Sequence, residues 1–500
     1  MDRDRVSIAW GWLALVAGAI LALHVSCLTQ YGWFRDELYY VSCAHRLAWG
    51  YVDQPPLSIA LLSLVMSVAG ASLAAIRLTA ALLGVLTALL AGLLARQLGG
   101  GKFAQALAAV AAGFAPEMLG NGHFYSMNAL DFVFWPLSTL LALRAFERPS
   151  LGRWVALGVA LGLGLLNKWS VLWLGAGLAV YLLFFRRDLL LGPGPWIAGL
   201  LAGAIFAPNV LWEIRNGWPT LEFMRNARHE KMVALDPLRY LLGQTLSLGP
   251  GAAPIWVAGL IAGLVRRSWR LIGVLYVVTL AILLASGSAR VEYVTLPCVA
   301  LFAAGATWWG MRGRVSRVVV TALVLGLAIP PVPFAIPFLP VQRFVAYQRA
   351  LGREPETEER HAMGSLPQQY ADMFGWPEMA DSVARVAATL TPDERRRAIV
   401  VVGNYGEAGA LERFGAGRLP RVACQHNSWF LWGPPPWDGA VAILVRRDSV
   451  DARTEFDSVR VAGFIDHPLA MPYERHLPIM IVRGFHANLA AAWAGGKHFE

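Results

Sequence analysis

Apolar runs separated by short polar clusters fill the first 340 residues of the chain, and the spacing predicts a series of long helices. Runs such as 13–28, 78–94 and 171–185 approach the roughly 17–25 residues that a helix needs to cross a bilayer. Between them lie basic clusters: Arg3/Arg5, Arg96/Lys102, Arg144/Arg148/Arg153, Arg186/Arg187, Arg266/Arg267/Arg270 and Arg312/Arg314/Arg317. If all of these face the cytoplasm, the number of spans between consecutive clusters must be even. The apolar run 57–69 breaks that parity and has about half the length of a typical span, so it is expected to lie on or dip into the outer face. The remaining runs give spans at 8–28, 74–97, 103–119, 128–146, 154–167, 169–185, 195–213, 240–264, 271–287, 294–310 and 317–335, about eleven crossings.

After the prolines at 330, 331, 333 and 337 the pattern changes. From about 341 the chain has soluble character, with apolar β-branched runs at 398–403, 441–445 and 479–485 that read as buried strands. Stretches 376–390 and 407–414 read as helices. The expected architecture is a polytopic α-helical membrane domain, 1–340, followed by a small α/β domain, 341–500. No internal repeat is visible. Gly403, Gly406 and Gly409 follow a strand and open a helix, but their spacing is not the dinucleotide fingerprint.

Composition agrees with the pattern. Hydrophobic residues make up 56% of the chain and charged ones 15%, well below the roughly 25% charge of soluble globular proteins. The net charge of +10 raises nucleic acid as a partner, but the basic residues sit in loops between spans, where they set orientation, so no nucleic acid is expected. The four cysteines, Cys27, Cys43, Cys298 and Cys424, are too scattered for a disulfide framework or a CxxC metal site. At the start, MDRDRVSIAW has charges ahead of an apolar stretch and no small-residue cleavage site, so 8–28 is expected to be a retained span with a cytoplasmic N-terminus.

Span parity places 29–73, 120–127, the turn 167–169, 214–239, 288–293 and everything beyond 336 on the outer side. Charged residues gather there: Asp36, Glu37, Asp53, His123, Lys168, Arg228, His229, Glu230, Arg290 and Glu292, with Asn128 at a loop edge. Ionisable groups at a membrane boundary are functional candidates. Asp36 and Glu37 lie in an aromatic-rich loop that reads either as an interfacial anchor or as the place of a general base that orients an acceptor hydroxyl. Lys168 reads as a phosphate-neutralising cation or as a lysine snorkelling from a helix end. The segment 216–231, NGWPTLEFMRNARHEK, reads as a headgroup cover or as a basic interfacial stretch.

The segment RDELYYVSCAHRLAWGYVDQPPL (35–57), ahead of the many-span pattern and a distal soluble tail, resembles the bacterial glycosyltransferase family 39, of the GT-C class. That family includes protein O-mannosyltransferases and the lipid A aminoarabinose transferases. The resemblance covers most of residues 1–340. It implies an inner-membrane enzyme that moves a sugar from a polyprenyl-phosphate donor to a lipid, glycan or protein acceptor on the periplasmic side, with inversion at the anomeric carbon.

By the same resemblance, the family's first-loop aspartate falls on Asp36, and the acid before the paired prolines falls on Asp53. Gln54 stands where the aminoarabinose transferases have lysine, so either the phosphate contact at this position is lost or another cation supplies it. Lys168, in GLGLLNKWS, falls at the family's threonine-lysine-glycine turn. Asn128, in HFYSMNALD, stands where many relatives have a second aspartate; an amide cannot take a proton, and Asp131 lies one turn further on. SARVEYVTLP resembles an outer loop that sets Arg290 and Tyr293 near the substrate. His229 with Asp53 is the implied pair for a divalent metal. The tail motifs LPQQYADMFGW, NYGEAGALERFG and HNSWFLWGPP resemble those of a bacterial subgroup and do not indicate a substrate.

Two other classes remain open to the sequence: a transporter or flippase for a lipid-linked sugar, and a scaffold whose tail binds envelope partners. Transporters usually show repeats and midplane polar groups, whereas the polar residues here lie in outer loops.

Overall fold

The computed structural model describes residues 6–231, 236–287, 290–355, 362–447 and 450–500. The chain divides into two compact units. The first comprises Met1–Gln30, Gln54–Arg215 and Val233–Leu339; the second comprises Tyr31–Asp53, Asn216–Met232 and Pro340–Glu500. Two stretches of the N-terminal half, the acid-bearing segment 31–53 and the basic segment 216–232, thus belong to the same unit as the tail.

The first unit is helical. Among the described residues four helices are long and apolar enough to cross a membrane: Leu73–Gln97, Met127–Glu147, Gly194–Arg215 and Arg267–Ser286. Shorter apolar helices occupy Trp10–Ser26, Leu57–Ala69, Leu151–Asn167, Val171–Phe185 and Cys298–Gly310. Most of the predicted runs therefore appear as helices at the expected places, and Leu57–Ala69 is as short as its sequence indicated. Three expected spans are not single helices; one of them, 317–335, is divided into Arg314–Ala328 and Val332–Ala335. The run 240–264 is split into Pro237–Leu248 and Pro250–Val265, bent by 95°. Gly249 adopts φ of +84° and Pro250 has no N–H to donate, so the helix cannot pass through this pair. The run 103–119 is likewise divided, into Lys102–Gly113 and Pro116–Asn121.

Small residues let these helices approach closely. A Cβ on Gly259 would strike the Leu301 carbonyl, and one on Gly305 the Ile255 carbonyl, so Ala253–Val265 and Cys298–Gly310 meet backbone to backbone. Trp135, Leu301 and Phe302 lie in the same buried cluster.

The second unit contains one five-stranded sheet: β1 Ile399–Val402, β2 Arg421–Cys424, β3 Val441–Val445, β4 Phe456–Ile465 and β5 Leu477–Phe485. Its order is β2-β1-β3-β5-β4. The β1 strand pairs in parallel with β2 and β3, while β5 pairs antiparallel with β3 and β4. Unbroken apolar runs suit β1 and β3, which are buried in the middle of the sheet. The strands β2 and β4 were not legible in the sequence, because β2 has four residues and β4 is an edge strand with only two buried positions, at its ends.

Arg35–Ala44, read from sequence as a loop, is a helix. It packs on the helix Tyr405–Phe414, where a Cβ on Gly409 would come within 2.9 Å of the Leu38 backbone. Gly406 and Gly409 thus serve helix packing, with Asn404 capping the second helix by accepting from the Gly406 and Glu407 N–H groups.

Candidate functional site

Two clusters gather the candidate residues, one in each unit. In the second unit the helix Arg35–Ala44 begins with the acids. Glu37 is fully buried and its Oε2 accepts the Phe34 N–H at 3.0 Å, capping the helix it belongs to. Asp36 is about one-third exposed, and its Oδ1 accepts the Tyr405 hydroxyl at 2.9 Å. Beside it, Arg35 donates to the Tyr473 hydroxyl at 2.8 Å and stands 3.8 Å from Asp372 and 3.7 Å from Asp36. Its guanidinium also lies over the Tyr405 ring, 5.3 Å from the centroid.

Asp53 is held in the same way by another tyrosine. Tyr39 donates to Asp53 Oδ1 at 2.9 Å, and its hydroxyl oxygen is 2.7 Å from Ser428 Oγ, which accepts the Val52 N–H at 3.1 Å. One ordering of protons satisfies every group: Val52 donates to Ser428, Ser428 to Tyr39, and Tyr39 to Asp53. Burial, and then the negative charge of Asp53, push the Tyr39 hydroxyl well above its ordinary pKa, so it stays protonated as a donor. The rings of Tyr39 and Tyr405 are 4.8 Å apart, which joins the two acid-holding tyrosines into one block.

The tail supplies these partners from the carboxyl ends of its parallel strands. Tyr405 follows β1 and Ser428 follows β2, the edge at which open α/β sheets usually place functional groups. A buried acid pair lies behind Tyr405. Glu407 accepts the Gly403 N–H at 2.7 Å, and Glu474 accepts from Asn404 Nδ2 at 2.8 Å. Burial raises both carboxyls, and Glu407 is raised further by the charge of Glu474. Further along the first helix, Arg46 pairs with Glu412 and lies over the rings of Trp429 and Trp432.

In the first unit Lys168 ends the helix Leu151–Asn167 in an extended conformation. Its Nζ donates to Asn128 Oδ1, stands 4.0 Å from Asp131 Oδ2 and sits 4.7 Å from the Tyr293 ring centroid. Asp131 is fully buried and accepts from Ser170 Oγ at 2.6 Å. Only 13% of the Lys168 side chain is exposed, so it does not snorkel; it is enclosed by an amide, a carboxylate and an aromatic face. Lys168, Asn128 and Tyr293, named separately as candidates from sequence, are neighbours here, with Asp131 beside them. The Arg290 carbonyl accepts the Tyr293 N–H at 3.2 Å, and its guanidinium is 3.6 Å from Glu292. Gln54 is buried, accepting from Ser58 at 3.2 Å.

Arg228 and His229 are exposed, on a π-turn over Ala227–Lys231 that continues the helix Pro219–Asn226. The side chains of Glu230 and Lys231 lie outside the described residues. His229 belongs to the same unit as Asp53, but the described residues add no third His, Cys, Asp or Glu to that pair; the group of three that converges is His426, His498 and Glu500. Sequence reasoning missed Arg35, Tyr39, Asp372, Tyr405, Ser428 and Tyr473. Three of them lie in the tail motifs, where LPQQYADMFGW carries Asp372, NYGEAGALERFG carries Tyr405 and HNSWFLWGPP carries Ser428, and Arg35 and Tyr39 lie in the first-loop motif.

Comparison with known proteins adds a context. Residues 53–212 match the family described as dolichyl-phosphate-mannose-protein mannosyltransferase. Over 247 residues the chain is 30% identical to the lipopolysaccharide core galacturonosyltransferase RgtB of Rhizobium johnstonii, covering 48% of each chain. It is 29% identical over 221 residues to the undecaprenyl phosphate-alpha-4-amino-4-deoxy-L-arabinose arabinosyl transferase of Pseudomonas savastanoi, covering 40% of each. The chain thus spans about half the length of the curated relatives it matches, or less. In fold it is similar to ArnT from Cupriavidus metallidurans, solved bound to undecaprenyl phosphate, with a TM-score of 0.59 over 94% of this chain and 98% of that one at 16% identity. It is also similar to the mycobacterial arabinofuranosyltransferase AftD, with a TM-score of 0.53 over 98% of this chain and 40% of that one at 18% identity.

Proposed function

We propose that the chain is a GT-C glycosyltransferase, a reading that the family match over 53–212 and the named relatives support, and that it transfers a sugar from a polyprenyl-phosphate donor to an acceptor hydroxyl at the membrane. The observation that carries this reading is the paired arrangement of Asp36 and Asp53, each receiving a hydroxyl from one of two tyrosines, Tyr405 and Tyr39, whose tilted rings are in contact.

In the proposed reaction Asp36 accepts the proton of the attacking hydroxyl while the new carbon–oxygen bond forms at the anomeric carbon. The bond from that carbon to the donor's phosphate oxygen breaks, and the electron pair leaves with the phosphate, inverting the anomeric centre. Lys168, held over Tyr293, offsets the charge that grows on the departing phosphate, with Arg290 as a second cation. Such electrostatic stabilisation acts mainly on the transition state. Asp53 is the supporting acid, Asn128 orients Lys168, and Arg228 meets the lipid headgroup.

The finer placement belongs to the same proposal: about eleven crossings of the inner membrane, the N-terminus cytoplasmic, and an α/β tail on the periplasmic side. The acceptor is a lipid, glycan or protein of the envelope. The named relatives are transferases, which supports transfer over transport of a lipid-linked sugar. The test is Asp36→Asn in the full chain: transfer is lost while protein level and detergent elution profile stay unchanged. A variant with full activity removes Asp36 from the mechanism.

A further inference from the structure

Where β2 ends, residues 425–428 turn and meet the segment 497–500. His426 and His498 form an isolated parallel bridge, in which the His498 N–H donates to the Gln425 carbonyl at 3.1 Å and the Asn427 N–H to the His498 carbonyl at 2.8 Å. Neighbouring strands lie about 4.8 Å apart and bridge partners present their side chains to the same face. The two imidazole centroids are accordingly 5.0 Å apart.

Glu500 is brought to the same place by a second device. The side-chain amide of Asn427 donates to the Glu500 main-chain oxygen at 3.1 Å and accepts the Glu500 N–H, also at 3.1 Å. Asn427 is buried and has φ of +49°, a left-handed conformation that a residue with a Cβ adopts only where its surroundings over-determine it. The turn is held in that state by contacts to both of its neighbours in space.

The outcome is a ligand set. One ring nitrogen from each histidine and one carboxylate oxygen of Glu500 lie within 4.8 Å of one another, and His498 Nε2 is 3.0 Å from Glu500 Oε1. A tetrahedral ion with ligand bonds of 2.0–2.1 Å sets its ligand atoms about 3.4 Å apart, so small side-chain adjustments close the site. We propose that His426, His498 and Glu500 bind a divalent transition-metal ion of the zinc class. Two imidazoles with one carboxylate suit zinc and its neighbours, whereas magnesium and calcium prefer all-oxygen sets. His426 is buried, but the side chains of His498 and Glu500 are 47% and 24% exposed, which provides an entry path and leaves a coordination position for water.

The ion would fasten two segments that already share contacts. Lys497 pairs with Glu222 at 2.6 Å and the Phe499 carbonyl accepts from Asn226 at 2.9 Å, so 497–500 anchors the helix Pro219–Asn226. On the other side, the turn continues into Ser428, which hydrogen-bonds Tyr39. Metal at this place would therefore order the partners of Asp53 without touching it. The proposal stands apart from the transferase reading, because its test needs neither donor nor acceptor.

The experiment titrates the full chain, purified in detergent without a polyhistidine tag and stripped by chelation, with cobalt(II) and then zinc(II). The expected result is one cobalt per chain with the visible bands of a four- or five-coordinate site, displaced by zinc, and a zinc-dependent rise in melting temperature. His498→Gln and Glu500→Gln, at partly exposed positions that keep the fold, each lower affinity at least tenfold and abolish the rise, while His229→Ala changes neither. Absence of these bands in the wild type overturns the proposal. So does unchanged binding in both glutamine variants, or loss of binding in His229→Ala alone, which assigns the ion to the other histidine.

Discussion

Tyrosines surround both the acids of the segment 31–53 and the lysine at 168, but they meet them differently. Tyr405 and Tyr39 approach Asp36 and Asp53 with their hydroxyls, each at 2.9 Å. Tyr293 presents its face to Lys168, 4.7 Å from the ring centroid. The sign of the charge decides which part of the ring it meets: the hydroxyl donates to a carboxylate, while the negative face of the π-system attracts an ammonium. A second difference is the origin of the partners. Tyr405 is 369 residues from Asp36 in sequence, whereas Asn128 is 40 residues from Lys168. The lysine is positioned by neighbouring helices of its own unit; the acids depend on the tail.

That contrast can be broken at either end, and the largest effect is expected at Asp36. Replacing it with Asn removes the proton acceptor, and general-base loss lowers turnover by about 10²–10⁴-fold, measured as product formed per enzyme at saturating donor. Lys168→Met should follow, with a loss of about 10²–10³-fold in kcat. It leaves Asp131 buried without its cation, so the double variant Lys168→Met/Asp131→Asn separates the two explanations. It restores stability, read by thermal unfolding, but not turnover.

Tyr405→Phe sharpens the comparison, since it removes only the hydroxyl from Asp36 and keeps the ring against Tyr39. A hydrogen bond to a charged group contributes about 1.5–3 kcal/mol, so kcat/KM should fall by about 10–100-fold with the elution profile unchanged. An equal effect of Tyr293→Phe, which keeps the aromatic face that Lys168 meets, would contradict the distinction between hydroxyl and face.

The smallest effect concerns stability. Glu407 and Glu474 have carboxyls raised above their ordinary value of 4.5, chiefly by burial. A raised folded-state pKa contributes stability that is complete below the unfolded value and is lost as pH rises through the folded one. The tail should therefore weaken from about pH 4.5 upward. Glu474→Gln, which keeps an acceptor for Asn404, should raise the neutral-pH melting temperature and flatten that slope, by on the order of 1 kcal/mol. Circular dichroism melts of both proteins between pH 4.5 and 8 check it.

How much of this the sequence made legible follows from which signals are local. Apolar runs show in periodicity, so Leu73–Gln97 and Met127–Glu147 were placed within a residue or two, as were β1 and β3. Lys168, Asn128 and Tyr293 were each singled out through the family resemblance, but their grouping around the Lys168 ammonium was not legible, because the three lie in separate segments. The strands β2 and β4 were not, because a short strand and a polar edge lack an apolar run. The helix Arg35–Ala44 was hidden for a related reason: its charged and aromatic residues read as a membrane-interface loop, although residues 37–44 are all buried and the helix packs on Tyr405–Phe414. The break at Gly249 and Pro250 was written plainly in the chain but outweighed by the apolar residues around it. Least legible was the dependence of Asp36 and Asp53 on Tyr405 and Ser428, since no periodicity reports a contact between residues more than 360 positions apart.

The most direct test of the account is transfer itself, with full-length protein in detergent, a polyprenyl-phosphate sugar and an envelope extract as acceptor, read by mass spectrometry and anomeric analysis. The account predicts a sugar-bearing product of inverted configuration, with release of polyprenyl phosphate in equal amount and neither formed by Asp36→Asn. Product of retained configuration, or undiminished product from Asp36→Asn, would contradict it.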